Sequence, residues 1–204
     1  MVSDSSKHSG DSTERLPGQE PRTRTFGWSN MFLRPEDDPR TDDGLGDERA
    51  VLIGYLSNYR LTIELKCSGL DATGLACRSL EPSNLSLLGL VRHLADVERH
   101  WFRRVLEGQD IPWLYRQDDD RDAAFNGATA DPEVVASAWD AWRSEVRFAE
   151  RLVEEAPNLE VTGTYEGGRT INLREVLVHM IEEYARHAGH ADVLRERIDG
   201  RVGQ

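Results

Sequence analysis

A chain of 204 residues, 38% hydrophobic and 30% charged, fits one domain with a tail. Its net charge of −12, from 25 basic and 37 acidic side chains, argues against non-specific nucleic-acid binding and against anionic membrane surfaces. No apolar run approaches the ~20 residues of a membrane span, no signal-peptide pattern opens the chain, and Cys67 and Cys77 do not have zinc-ribbon spacing; a cytoplasmic protein with reduced thiols is expected.

Residues 1–45 are rich in Ser, Asp, Arg, Pro, Thr and Gly and carry no helical or strand period. A disordered or loosely docked N-terminal tail (1–45) is expected, ahead of a helical domain over 46–200. Within the tail, the segment from Phe26 to Leu33 is an aromatic patch, suited to docking on the folded part or on a partner.

The first helix is expected from Asp47 to Leu65 or slightly beyond, with a stripe of Leu52, Leu56, Tyr59, Ile63 and Lys66 and a stop at Gly69. The second starts between Ser83 and Ser86 and ends at Gly108. Its wide apolar arc runs Leu87, Leu90, Val91, Leu94, Val97, Trp101, Phe102 and Val105. Glu98 falls inside that arc and needs a partner, either an ion pair or a group at a nearby site. A linker from about Gln109 to Ala130 follows, longer than most loops without a function. It carries Trp113, a candidate platform for substrate.

The third helix opens at Asp131-Pro132-Glu133, an N-cap followed by proline at the first helical position, and ends before Pro157. Trp139 and Trp142 on it, like Trp101, read as core anchors. Alternation at Val161, Gly163 and Tyr165, with the Gly167-Gly168 pair, suggests a short hairpin. The fourth helix starts at Asn172 with a capping-box pattern completed by Glu175, and stops at Asp199-Gly200. Four long amphipathic helices with one long crossover between the second and third predict an all-α four-helix bundle, in which sites lie between facing helices.

The chemistry concentrates on the fourth helix. Val176, Met180, Glu183, His187, Ala191 (or His190), Leu194 and Ile198 share one face, so a carboxylate and an imidazole four residues apart sit among hydrocarbon. An unpaired carboxylate there costs several kcal/mol or takes up a proton. A bound cation with neutral imidazole as co-ligand is one remedy; an ordinary surface pair is the other reading. A catalytic divalent ion wants three protein ligands and an open position. The second helix offers His93 and His100, of which His93 lies nearer the apolar arc, beside Leu90 and Val97. His190 suits a ligand, a hydrogen-bond partner or a cation at a helix C-terminus. His179 reads as an edge residue, and Glu182, Arg186, Arg195, Glu196 and Arg197 as a solvated face.

The stretch from Leu85 to Phe102, containing Val91-Arg92-His93-Leu94-Ala95-Asp96-Val97-Glu98-Arg99-His100-Trp101, resembles the second helix of the DinB-like superfamily, and more narrowly its actinobacterial mini-circle protein branch. Glu182-Glu183-Tyr184-Ala185-Arg186-His187-Ala188-Gly189-His190 resembles that branch's fourth-helix motif, and the likeness covers roughly residues 44–200. It implies an antiparallel bundle in up-down-down-up order with a divalent metal at one end. Most of the superfamily uses three histidines; Glu183 stands here where one would fall, as in the mycothiol-dependent maleylpyruvate isomerase branch. The ligands so implied are His93, Glu183 and His187, with His190, Glu98, His100 and Trp113 as surrounding or substrate-facing groups. Zinc is the first expectation for the metal, with nickel, iron and manganese suited to the same donors. The resemblance also implies a transferase or isomerase that uses mycothiol or another small thiol on a small electrophilic substrate. A non-catalytic metal-binding bundle and a metal-dependent hydrolase are the alternatives, and an isologous homodimer is the default assembly.

Overall fold

Four long helices carry most of the chain in this computed structural model, which describes residues 32–40 and 46–203. Most of the expected tail, including Phe26 and Trp28 of the aromatic patch, lies outside the described residues. The first long helix, α1 (Glu48–Cys67), is capped by the Asp47 carboxylate accepting from the Ala50 N–H. It ends at Ser68 and Gly69, the latter at φ +71, two residues beyond the expected Leu65. A short helix, α2 (Ala72–Ala76), which no periodic pattern announced, follows. Next is α3 (Leu87–Glu98), whose Ser86 hydroxyl accepts from the Gly89 N–H.

The helix does not stop at Glu98. It widens without a break into a π-helical segment, Arg99–Leu106, closed by the Glu107 N–H bonding back to the Phe102 carbonyl. The extra residue per turn rotates every later side chain relative to an α-helical wheel. Phe102 and Val105 stay buried, as the arc required, but Trp101 is only half-buried and turns to a cavity wall. Trp101, read as a core anchor, packs against the core and also walls the cavity.

The linker contains a single helical turn, α4 (Ala123–Asn126), and then α5 (Pro132–Glu155) starts at the Asp131 cap. On α5, Trp142 is buried and Trp139 half-buried. Strands β1 (Thr162–Tyr165) and β2 (Arg169–Asn172) pair antiparallel, with Gly163 opposite Ile171. The hairpin lies hard against the π-helical segment: a Cβ on Gly163 would fall 2.2 Å from the Val105 carbonyl oxygen, so only glycine fits there. Helix α6 (Leu173–Asp199) begins with the full Asn172–Glu175 capping box and ends at Gly200 with φ +79.

The described chain is thus mostly helical, with one small two-stranded sheet. Helix α1 packs along α6, α3 packs along α5, and α3 also meets α6. Leu56, Ile63, Leu90, Leu94, Phe102, Trp142, Leu177, Met180, Tyr184 and Leu194 form one continuous apolar core. None of the helices is long and apolar enough to cross a membrane.

Two charged side chains lie in that core: Arg195, against its solvated reading, and Lys66, which stands in the expected stripe of α1. Arg195 is 1% exposed; its guanidinium donates to the carbonyl oxygens of Lys66 and Ser68 at 2.7 Å each and pairs with Asp199. It satisfies the orphan carbonyls at the end of α1, a task no pattern within α6 reveals. Lys66, equally buried, pairs with Asp192 at 2.6 Å and donates to the Gly203 carbonyl. The Phe32 ring lies over Lys66 Nζ (4.4 Å) and the Arg195 guanidinium (4.9 Å), so this aromatic of the N-terminal patch docks on the folded part. Cys67 is buried beside them, which pushes its thiol up to about 12, while Cys77 is exposed; neither forms a disulfide.

Candidate metal centre

Helix α3 presents His93 and helix α6 presents Glu183 and His187 to one another across their shared contact. One donor atom from each of the three lies within 4.8 Å of the others. On α6 the i,i+4 spacing puts Glu183 Oε2 3.4 Å from His187 Nε2. The His93 and His187 rings approach edge-on with centroids 4.7 Å apart. The other side of His93 stacks on Phe125 of α4 (5.5 Å), so the linker backs the imidazole. Gly89, one turn earlier, makes room for that phenyl ring: a Cβ there would meet it at 2.7 Å.

The electrostatics suit a cation. Burial, and then the neighbouring His187, lower His93 to about 4, so its ring is neutral at neutral pH and its lone pair available. The hydrogen bond to His187 holds the Glu183 carboxyl below its ordinary range in spite of partial burial. Two imidazoles and one ionised carboxylate, converging from two helices, form a donor set for a first-row divalent ion. His187 turns its Nδ1 toward His190 Nδ1 at 3.3 Å, the kind of outer contact that orients a ligating ring.

Two of the three, His93 and Glu183, line a cavity of about 410 Å³. Trp101 and Tyr165 form part of its wall with rings 5.7 Å apart, and His179 lies 4.7 Å from Trp101. Opposite in character is the pair His100 and Trp113, stacked at 4.9 Å with planes 13° apart. Arg104 and Arg116 each lie 4.8 Å from the Trp113 ring. Trp113 therefore lines the cavity as expected of a platform, with its faces already occupied by protein groups.

Of the remaining expected groups, Glu98 sits elsewhere. It is 0% exposed, receives Arg60 Nε and Nη2 at 2.8 Å each and accepts from the Tyr184 hydroxyl at 2.7 Å. The Trp142 indole N–H in turn donates to the Tyr184 oxygen at 2.8 Å. Tyr184, absent from the expected α6 stripe, is the core residue there, and Glu183 beside it is only partly buried. Sequence reading also missed Asp96. Its carboxylate, 4% exposed, accepts from the backbone N–H groups of Leu114, Tyr115 and Arg116 and so ties the linker to α3. Burial raises its pKa and those three donors oppose the shift. One signal was available: Asp96 stands one turn after His93 on a helix whose other residues there are apolar.

A protein-family model described as Mycothiol-S-transferase matches residues 51–200. Searches of curated proteins and of solved structures return no match. The family match spans the helices that carry all three donors, and the chain belongs to the mycothiol-S-transferase family, a member of the DinB-like superfamily.

Proposed function

We propose that this member of the mycothiol-S-transferase family is a divalent-metal-dependent enzyme that joins mycothiol to a small electrophile. The observation that carries the reading is the convergence of His93, Glu183 and His187 within 4.8 Å at the edge of a cavity large enough for small reactants. The three residues would hold the ion; zinc suits them best among the available metals, and when bound it supplies Lewis acidity that lowers the pKa of a thiol.

The chain's own groups account for the remaining tasks. His93 is held neutral by burial, so no proton competes for its lone pair at neutral pH. Glu183 is kept ionised by His187, which places a fixed negative charge beside the two imidazoles. Trp101 and Tyr165 offer apolar walls that exclude water around an electrophilic carbon. In the transfer, the thiol sulfur forms a bond to that carbon, the leaving group departs with its bonding electrons, and the thiol proton passes to a base. His100 and His179 line the same cavity and are the imidazoles that this chain offers for that proton. The reading includes the up-down-down-up bundle of the superfamily for the four long helices, and a catalytic domain that begins near residue 46.

Elemental analysis of the purified protein, followed by turnover of mycothiol with an electrophile, tests it. One divalent ion per chain and mycothiol-dependent product are expected, both lost in His187→Ala. Full activity in a protein carrying no metal would refute the reading.

A further inference from the structure

Several arginines of this fold are spent on other protein groups. Arg60 serves Glu98, Arg99 and Arg103 serve Glu145, Arg195 serves the end of α1, and Arg92 donates to the carbonyls of Ala123 and Ala124. Two arginines line the cavity beside His93 and Glu183: Arg116 and Arg121. Among the described residues, neither side chain makes a hydrogen bond or an ion pair. Arg121 is exposed and Arg116 half-buried.

Arg116 is nevertheless held in place. Its backbone N–H donates to the buried Asp96 carboxylate at 3.0 Å, and its guanidinium lies over the Trp113 ring, which stacks on His100. Stacking fixes the guanidinium plane through its face and leaves the N–H edges unspent. A half-buried cation with unspent donors keeps water on them, which the acceptors of a ligand can replace. Among the described residues the cavity's carboxylates pair with neither guanidinium: Asp96 accepts from three backbone N–H groups, and Glu183 lies 3.4 Å from His187. In a chain of net charge −12, a cavity with two uncompensated guanidinium groups selects for negative charge.

We propose that the electrophile this cavity accepts carries a carboxylate, gripped edge-on by Arg116 and steered by Arg121 at the rim. A planar guanidinium matches a planar carboxylate with two parallel hydrogen bonds, and a single half-buried cation matches a single negative charge. Arg116 is then a specificity-determining residue. The proposal rests on the transferase reading for the meaning of "electrophile", but the recognition itself is separable from metal and thiol.

The test is equilibrium binding to the full-length protein as purified, with benzoate, the neutral isostere benzamide and phenyl phosphate as probes, followed by calorimetry and by the fluorescence of Trp101 and Trp113. Benzoate is expected to bind at least tenfold tighter than benzamide and tighter than phenyl phosphate, with a preference that shrinks as salt is raised. Arg116→Gln abolishes the preference, Arg116→Lys retains part of it, and Arg121→Gln slows association with a smaller loss of affinity. His187→Ala keeps the preference, because recognition does not pass through the metal ligands. Equal binding of benzoate and benzamide, no binding of either, or a preference that survives Arg116→Gln would overturn the proposal. So would its loss in His187→Ala, which assigns the carboxylate to the metal centre. Stronger binding of phenyl phosphate would overturn the carboxylate class. Should Arg116→Gln not fold, Arg116→Lys and the salt dependence decide. If mycothiol turnover is absent while the benzoate preference persists, the transferase reading alone has failed.

Discussion

Glu98 and Glu183 are two carboxylates placed by helices near the middle of one fold, and they have opposite surroundings. Glu98 is sealed, with a bidentate arginine, a tyrosine hydroxyl and, behind that, an indole N–H, each group fully spent on the next. Glu183 is partly exposed at a cavity edge and touches only imidazole. The first arrangement joins residues of α1, α3, α5 and α6 into one closed polar network, and a closed network in low dielectric rigidifies the packing around it. The second leaves lone pairs that the protein does not satisfy. A buried acid with all its acceptors used is architecture; one with acceptors left over is available for a ligand.

The contrast breaks most visibly on deletion. Glu98→Ala strands the Arg60 guanidinium, which retains only a distant Glu150, and should cost about 3–5 kcal/mol in urea unfolding. Glu183→Ala in metal-free protein should cost less than about 1 kcal/mol, since a half-exposed carboxylate is well solvated. Equal costs would erase the distinction. Next in size, His187→Ala should weaken zinc binding at least about 100-fold, measured by competition with a chelating dye, while Glu98→Gln, if folded, should leave affinity within about tenfold.

A pH series sharpens the comparison further. His93 is depressed from 6.5 to about 4, so as pH falls the unfolded chain takes the proton first. Its contribution to the metal-free protein is complete above pH 6.5 and is lost as pH falls through about 4, on the order of 3 kcal/mol in the urea transition. His93→Gln should flatten that slope. The Glu183 carboxyl is also depressed, so its contribution disappears only below its ordinary 4.5, largely outside the His93 window. Tyr184→Phe strands the Trp142 N–H, while the Glu98 oxygen keeps Arg60, and should cost about 1–2 kcal/mol without changing metal affinity.

Much of this was legible one turn at a time. The Asp131-Pro132 start, the Asn172–Glu175 capping box, the Gly69 and Gly200 stops and the 167–168 hairpin turn follow from backbone groups that need partners within three or four residues. The Glu183–His187 spacing belongs with them, because an i,i+4 pair shares a face in any α-helix. His93 was legible as the third donor from its place beside the apolar arc, before the fold brought it to the other two.

What the tertiary structure alone decided involves partners far apart in the chain. Arg195 looks solvated until the end of α1, about 129 residues earlier, comes to meet it. The Tyr184 hydroxyl is satisfied inside the core of α6 only because Glu98 and Trp142 arrive from other helices. The π-helical turn at Arg99–Leu106 departs from a wheel drawn at 3.6 residues per turn, and Trp101 on it both packs against the core and walls the cavity. The linker's Arg116 has no periodicity to betray it; Asp96 and Trp113 give it a place. Capping and spacing are local demands that a few neighbouring residues answer, whereas the choice of partner for a buried charge depends on which distant surface folding delivers.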